Sequence, residues 1–366
     1  MPGPAAFVTS VQRDLRDARN VILPLPAYCP DGLRDAIAAR LREDGIAWRD
    51  LDLREDAATP GSPADQVQQR FLPFLPGTVI CNARVLAESD ELAGQVIWVD
   101  GITAATWPAW RGFLTQYEQA CRMRAGAERA VFCVPLVGLA AEDIPQDEVA
   151  VAVRWWRGVS DRLDATLYLS HLLRARTLSR LERRLAVSMG VEIVGPDYTL
   201  GRQWATLDLR EMFEPAPFLR ACAENHGWTA QTTPGWQFGS LDEFDGARFM
   251  HSAAVACRGD TAEIGRRLWG GQLSVLFPFI EQERVRLIKE PEACWQVPFA
   301  TKFGTVTDRM DLEIGHLLYQ ARRLPLSDET ISLLTCLTRM RHALAHLEPV
   351  AYSDVCKCDC RARRDR

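Results

Sequence analysis

The sequence predicts an α/β domain at the N-terminus, built on a parallel sheet, followed by mostly α-helical middle and C-terminal domains. Three observations carry this. Between residues 19 and 138, short apolar runs alternate with helical patterns. Several of these runs are apolar without polar alternation, as expected of strands covered on both faces. Beyond about residue 158 the apolar positions recur mainly at helical spacing. A chain of 366 residues has room for two or three domains of roughly 100–200 residues each.

The elements follow in order. "VILPLP" (Val21 to Pro26) reads as a buried strand and "AYCPDG" as a turn. In "LRDAIAARLREDG", Leu33, Ile37 and Leu41 recur every four residues, a helix ended by Gly45. "AWRDLDL" is a strand, "PADQVQQRFLPFL" a helix, and "TVICNARVL" begins as a strand. "GQVIWVDG" is a strand ending in Asp100. "WPAWRGFLTQYEQACRMR" is helical and "RAVFCVPLVG" is a further buried strand. This domain occupies 1–158. A helical arm spans 159–255, a helical domain 256–350 and a polar, mobile Cys/Arg-rich tail 351–366. Within the arm, "ATLYLSHLLRARTLSRLERRLAVSMG" is a long helix or helix pair, with Arg176, Arg180, Arg183 and Arg184 opposite an apolar stripe. "TAQTTPGWQFGSLDEFDG" reads as a loop. Ser327, with Glu329 and Thr330, marks the start of the last long helix.

Composition narrows the function. A net charge of -5 gives no global attraction to nucleic acid, so DNA is not indicated and RNA needs a local basic patch. No apolar run approaches the ~20 residues of a membrane span, and no secretory pattern opens the chain. Eleven cysteines, mostly single and within apolar segments, suggest reduced thiols and a cytoplasmic setting. Only Cys356, Cys358 and Cys360 cluster.

The order of the first domain, with "VIWVDG" ending in Asp100, resembles the P-loop nucleotide-binding domains of AAA and STAND proteins. In that family the first strand leads into a phosphate-cradling loop, and the third ends in a magnesium-binding aspartate. The resemblance implies cofactor-site positions at Gly32, Arg34 and Asp100. The loop departs from G-x-x-x-x-G-K-[ST]: Ala27 stands for the first glycine, and Leu33 and Arg34 for the lysine and hydroxyl. Without that lysine and hydroxyl, phosphate charge goes largely unmatched. The expectation is a scaffold without ATP hydrolysis and no required cofactor, nucleotide binding without turnover staying open at Arg34 on a helix N-terminus. Another doubly wound α/β domain, its strand ending in an Asp-Gly turn, is the competing reading.

"RMRHALAHLEPV" holds Arg341, His342 and His346. Its Arg-His-x3-His order, on an apolar helix ended by Pro349, resembles the R-x4-6-H motif of the HEPN superfamily of helical domains common in prokaryotic defence. The resemblance implies metal-independent RNA cleavage, usually across a homodimer cleft. The histidine would move a proton and the arginine would hold phosphate. Spacing alone is weak, because Arg220 to His226 and Arg309 to His316 satisfy it too. In a regular helix Arg341 and His346 point ~140° apart, so they converge only through distortion or a second chain. His342 and His346 share a face, but no Glu follows His342 and C-x-C-x-C is not zinc spacing; no metal is expected. His251 and Ser252 show no third catalytic partner.

Together these resemblances imply a non-hydrolysing, STAND-like regulatory or adaptor component of a bacterial defence or conflict system. It would act through protein partners of the same system or as a homodimer. The alternative is a HEPN-type endoribonuclease using Arg341 and His346.

Overall fold

The computed structural model describes residues 1–29, 31–54, 61–73, 81–290, 295–302 and 304–364, with side chains through Cys358. The chain divides into two units that interleave in sequence. One comprises 1–164, 196–199 and 233–250; the other comprises 165–195, 200–232 and 251–366.

The first unit begins with helix α1 (Pro2–Arg16), β1 (Asn20–Leu25), α2 (Leu33–Glu43) and β2 (Ala47–Asp52). It continues through α3 (Pro63–Phe71), α4 (Ala83–Ala87), β3 (Gln95–Asp100), α5 (Trp107–Cys121), β4 (Val131–Val137) and β5 (Val151–Val153). The five strands form one parallel sheet in the order β2-β3-β4-β1-β5. The chain runs from β1 out to the edge at β2, then steps back through β3 and β4. Right-handed crossovers therefore place the helix after β1 and those after β2 and β3 on opposite faces. One face packs Ile22, Leu51, Ile97, Val99, Phe132 and Val134 against Trp107, Trp110, Phe113 and Tyr117 of α5. The other buries Val21, Leu23, Val96 and Trp98 beneath α1 and α2. Burial on both faces is why β1, β3 and β4 are nearly unbroken apolar runs.

Gly45 ends α2 as the sequence predicts. It lies at φ 74°, and the Ile46 N–H reaches back to the Leu41 carbonyl at 2.9 Å, closing the helix with a left-handed residue. The start of "TVICNARVL", where a strand is expected, is only partly described. Residues 78–80 lie outside the described residues, and from Asn82 the chain is helical, because the Asn82 side chain accepts from the Arg84 and Val85 N–H groups.

Helices dominate the second unit, and the numbering continues through both units. The elements are α6 (Arg162–Leu173), α7 (Arg180–Val194), α8 (Tyr198–Trp204), α9 (Leu209–Phe213) and α10 (Ala216–Asn225). A hairpin of β6 (Leu241–Phe244) and β7 (Ala247–Met250) belongs to the first unit. Then come α11 (Ser252–Cys257), α12 (Thr261–Lys289), β8 (Phe299–Thr301), β9 (Gly304–Val306), α13 (Ile314–Ala321), α14 (Asp328–Ala345) and α15 (Tyr352–Arg364). Helices α7 and α12 cross so closely that a Cβ on Gly271 would stand 2.6 Å from the Met189 Cα. Buried Gln272 of α12 accepts from the Val350 N–H at 2.7 Å and donates to the Val350 carbonyl at 3.2 Å. These two bonds fix the chain just beyond α14.

Two further expectations are corrected. The stretch read as a loop ends in β6 and the turn of the β6–β7 hairpin, formed by Asp245 and Gly246, both at positive φ. Such a two-residue turn matches strand twist, and Asp-Gly is its usual sequence. The region read as a mobile tail contains α15, whose Val355 and Cys358 are buried while Arg339 of α14 pairs with Asp354.

Candidate functional site

The crevice at the carboxyl ends of β1 and β4 is the switch point of this sheet, where doubly wound folds place their ligands. Gly32 caps α2 there at φ 89° without a side-chain hydrogen bond to the first turn. The chain itself covers this place. Tyr28, three residues beyond β1, is buried and donates its hydroxyl hydrogen bond to Asp242 of β6. Gly239 lies against the Tyr28 ring, which a Cβ would meet at 3.3 Å. Beyond β4, a Cβ on Gly138 would stand 3.6 Å from the Gln237 carbonyl. Beyond β5, Trp155 meets Trp236 edge to face at 6.3 Å. Segment 233–250 thus lies over the carboxyl ends of three strands. Burial pushes the Asp242 carboxyl up to about 6 against the opposing Tyr28 and Glu243 N–H hydrogen bonds, and pushes the Cys29 thiol up to about 12.

Arg34 and Asp100 do come together, in a neighbouring crevice of about 300 Å³ that also takes in Asp50, Asp52, Arg54, Arg70 and Trp98. Gly32 is not in its lining. Arg34 donates from Nε to Asp50 at 2.9 Å, which raises the guanidinium pKa. Arg54 donates to Asp100 at 2.7 Å and to Asp52 at 2.9 Å, and this bonding lowers the Asp52 pKa. Each charge that the sequence offers to a phosphate or its magnesium is therefore already matched. A metal at Asp100 would compete with the charge of Arg54.

In the second unit, α14 carries Arg341, His342 and His346. Helix geometry is regular to Ala345, and His346 is the C-cap. Leu347 follows at φ 61°, the Glu348 N–H bonds to the Ala343 carbonyl at 2.9 Å, and Trp269 Nε1 donates to the Leu344 carbonyl at 2.9 Å. The helix end is thus held from both sides. Arg341 donates to Glu313, the residue before α13, at 2.7 Å, and this holds the Glu313 carboxyl below its ordinary range. The His342 and His346 rings lie 4.2 Å apart. Arg341 and His342 line a groove of about 370 Å³ with Leu273, Phe277, Ile314, Gly315, Thr338, Leu344 and Ala345; His346 is not in its lining. The structure therefore joins Arg341 to Glu313 and His342 to His346, rather than Arg341 to His346.

No protein-family model matches the chain, and no curated protein matches it. The geometry of the two sites therefore carries the functional reading alone.

Several of the remaining candidates hold local structure. His251 caps α11, its Nδ1 accepting from the Ala253 N–H at 3.2 Å. Arg176 donates to the Ala205 and Leu207 carbonyls, and Arg183 to the Arg176 carbonyl, so two arginines of the stripe brace the chain between helices. Arg180 and Arg184 are exposed. Among the described residues no three His, Cys, Asp or Glu side chains group to hold a metal, the cysteines are free thiols, and no helix is long and apolar enough to cross a membrane. Sequence reasoning missed Tyr28, Asp242, Asp50 and Arg54. The Asp245-Gly246 turn is the signal that points to the hairpin carrying Asp242.

Proposed function

We propose that the chain is a non-hydrolysing, STAND-like regulatory or adaptor component of a bacterial defence or conflict system, acting through contacts with protein partners. The observation that supports it most is Tyr28. In a working phosphate loop the residues after β1 keep their backbone N–H groups open to the ligand. Here that loop carries a buried tyrosine held by Asp242, under segment 233–250. The pairing of Arg34 with Asp50 and of Asp100 with Arg54 supports the same reading. Thermal unfolding with and without ATP and Mg²⁺ tests it. The expected shift is below about 1 °C. A larger shift that Asp100→Ala removes, together with phosphate release, would reverse the proposal.

A second reading rests on Arg341 and His342 lining one groove. A HEPN-type ribonuclease would use Arg341 and His346, with a second copy of the chain bringing the pair together. Labelled RNA incubated with the purified protein decides between them. Cleavage that disappears in His346→Ala, with the fold intact by circular dichroism, establishes the ribonuclease; uncut RNA supports the adaptor.

A further inference from the structure

The groove among α12, α13 and α14 has a composition unlike the charged crevice of the first unit. Leu273, Phe277, Ile314, Leu344 and Ala345 supply an apolar lining, and Gly315 leaves part of the floor open, with nothing within 4 Å of where its Cβ would be. Phe277 is 45% exposed although it lies on a helix with a well-buried face. The next residue, Pro278, lies inside the continuous helix α12 and has no N–H to give the Ser274 carbonyl. The polar side chains of the lining are few. Thr338 spends its hydroxyl on the Leu334 carbonyl at 2.7 Å. Arg341 and His342, consecutive on α14, are the titratable groups in the lining, and Arg341 holds Glu313 at 2.7 Å.

Size decides what kind of occupant suits it. A stable protein interface buries about 1,200–2,000 Å², far more than nine lining residues offer. Small-molecule sites enclose about 300–1,000 Å³, are mostly apolar, and carry a few polar groups that orient the ligand. The groove falls in that class. Its polar groups decide the head group: Arg341 already holds one carboxylate, that of Glu313, and its planar fork suits a ligand carboxylate exchanged for it, with the His342 imidazole in the same lining.

We propose that this groove binds a small amphipathic monoanion, an aliphatic or aromatic carboxylate, with its apolar body against Leu273, Phe277 and Ile314. Arg341 and His342 hold the head group. Glu313 is the internal competitor: its carboxylate engages Arg341 at 2.7 Å and yields to the ligand. The proposal is independent of the regulatory reading above, and either can fail alone.

The probe is octanoate, titrated into the full chain by calorimetry, with octanamide as the neutral control of the same length. Octanoate is expected to bind with a Kd below about 1 mM and octanamide at least about tenfold more weakly. Arg341→Gln is expected to weaken octanoate by about tenfold, because it removes the fork and leaves Glu313 unopposed. Glu313→Gln is expected to tighten it several-fold, a direction that mere damage to the fold does not produce. Phe277→Asp, on an exposed side chain, is expected to abolish binding with circular dichroism unchanged. Absent binding, equal affinity for the amide, or indifference to all three substitutions would overturn the proposal. So would sedimentation showing a wild-type dimer that Phe277→Asp splits, since the groove would then be an interface between copies of the chain.

Discussion

The Tyr28 hydroxyl donates to the Asp242 carboxylate across 214 residues of sequence, joining the turn after β1 to the β6–β7 hairpin. Asp242 is 3% exposed, and burial lifts its pKa to about 6. A carboxyl with a raised folded pKa contributes stability that is complete below its unfolded value near 4 and is lost as pH rises through 6. The displacement of about two units corresponds to about 3 kcal/mol. The amide that Asp242→Asn introduces still accepts from Tyr28 and has no charge to desolvate. Urea unfolding of both proteins between pH 4 and 8 should show the wild type losing ground to Asp242→Asn by up to about 3 kcal/mol, with most of the loss between about pH 4 and 6. A difference that does not vary with pH would show that Asp242 titrates normally.

Glycines inside helices separate two effects here. Gly271 lies where α12 crosses α7, and its added Cβ would meet the Met189 backbone at 2.6 Å and the Ser188 carbonyl at 2.8 Å. Backbone cannot swing aside as a side chain does, so the helices must part. Gly112 of α5 has nothing within 4 Å of its Cβ position. We expect Gly271→Ala to destabilise by about 2 kcal/mol or more. Gly112→Ala should stabilise by about 0.5–1 kcal/mol through helix propensity alone. Equal effects of the two substitutions in thermal melts would contradict the close crossing.

What the sequence makes legible follows from locality. The sheet strands β1, β3 and β4 are readable because burial on both faces leaves an apolar run, and Gly45 is readable as a helix stop because only local backbone is involved. The β6–β7 hairpin is readable in principle from Asp245-Gly246, but Trp236, Gly239 and Pro234 around it also suit a loop. The pairings that define the sites are not local. Arg341 meets Glu313 from 28 residues away and Arg54 meets Asp100 from 46. Spacing along one helix shows which residues share a face, and says nothing of the carboxylate that a neighbouring element brings. The last helix ends at Ala345, short of the stop read at Pro349, and that earlier end is hidden because its left-handed position holds Leu347, where glycine is the usual signal.

Leu347 is therefore a place to test that helix end. At φ 61° a side chain crowds its own carbonyl, and Leu347 is 66% exposed, so burial returns little. The left-handed conformation costs a non-glycine residue roughly 1–2 kcal/mol. Leu347→Gly should raise stability by about 1 kcal/mol, the greater backbone freedom of glycine offsetting the rest. Leu347→Val should lower it, because branching at Cβ worsens the crowding. A Leu347→Gly protein less stable than wild type would mean that the Leu347 side chain supports the end of α14 in some other way.

The buried Arg267 gives an asymmetry that separates pairing from packing. Its Nε donates to Glu263 at 2.8 Å and its Nη1 donates to Ser252 Oγ at 2.7 Å, with the side chain only 6% exposed. Arg266 also grips Glu263, at 2.6 Å, and hydrogen bonding from the two arginines draws the Glu263 carboxyl down to about 2. Removing the glutamate charge takes away the carboxylate that Arg267 hydrogen-bonds and leaves the buried cation less well matched, with Glu192 still acting on it. Removing Arg267 leaves Glu263 still paired and partly wet. We expect Glu263→Gln to cost about 2 kcal/mol, below the roughly 3–5 kcal/mol of a fully buried pair because Glu263 is a quarter exposed. Arg267→Met, which fills the same space with apolar atoms, should cost less than about 1 kcal/mol. The lowered carboxyl pKa sets the pH behaviour: its stabilisation is whole above about pH 4.5 and disappears as pH falls through 2. Acid unfolding of Glu263→Gln should therefore begin from lower stability and fall less steeply than wild type below about pH 4. An Arg267→Met protein damaged as much as Glu263→Gln would show that the guanidinium itself, rather than its balance of charge, supports α12.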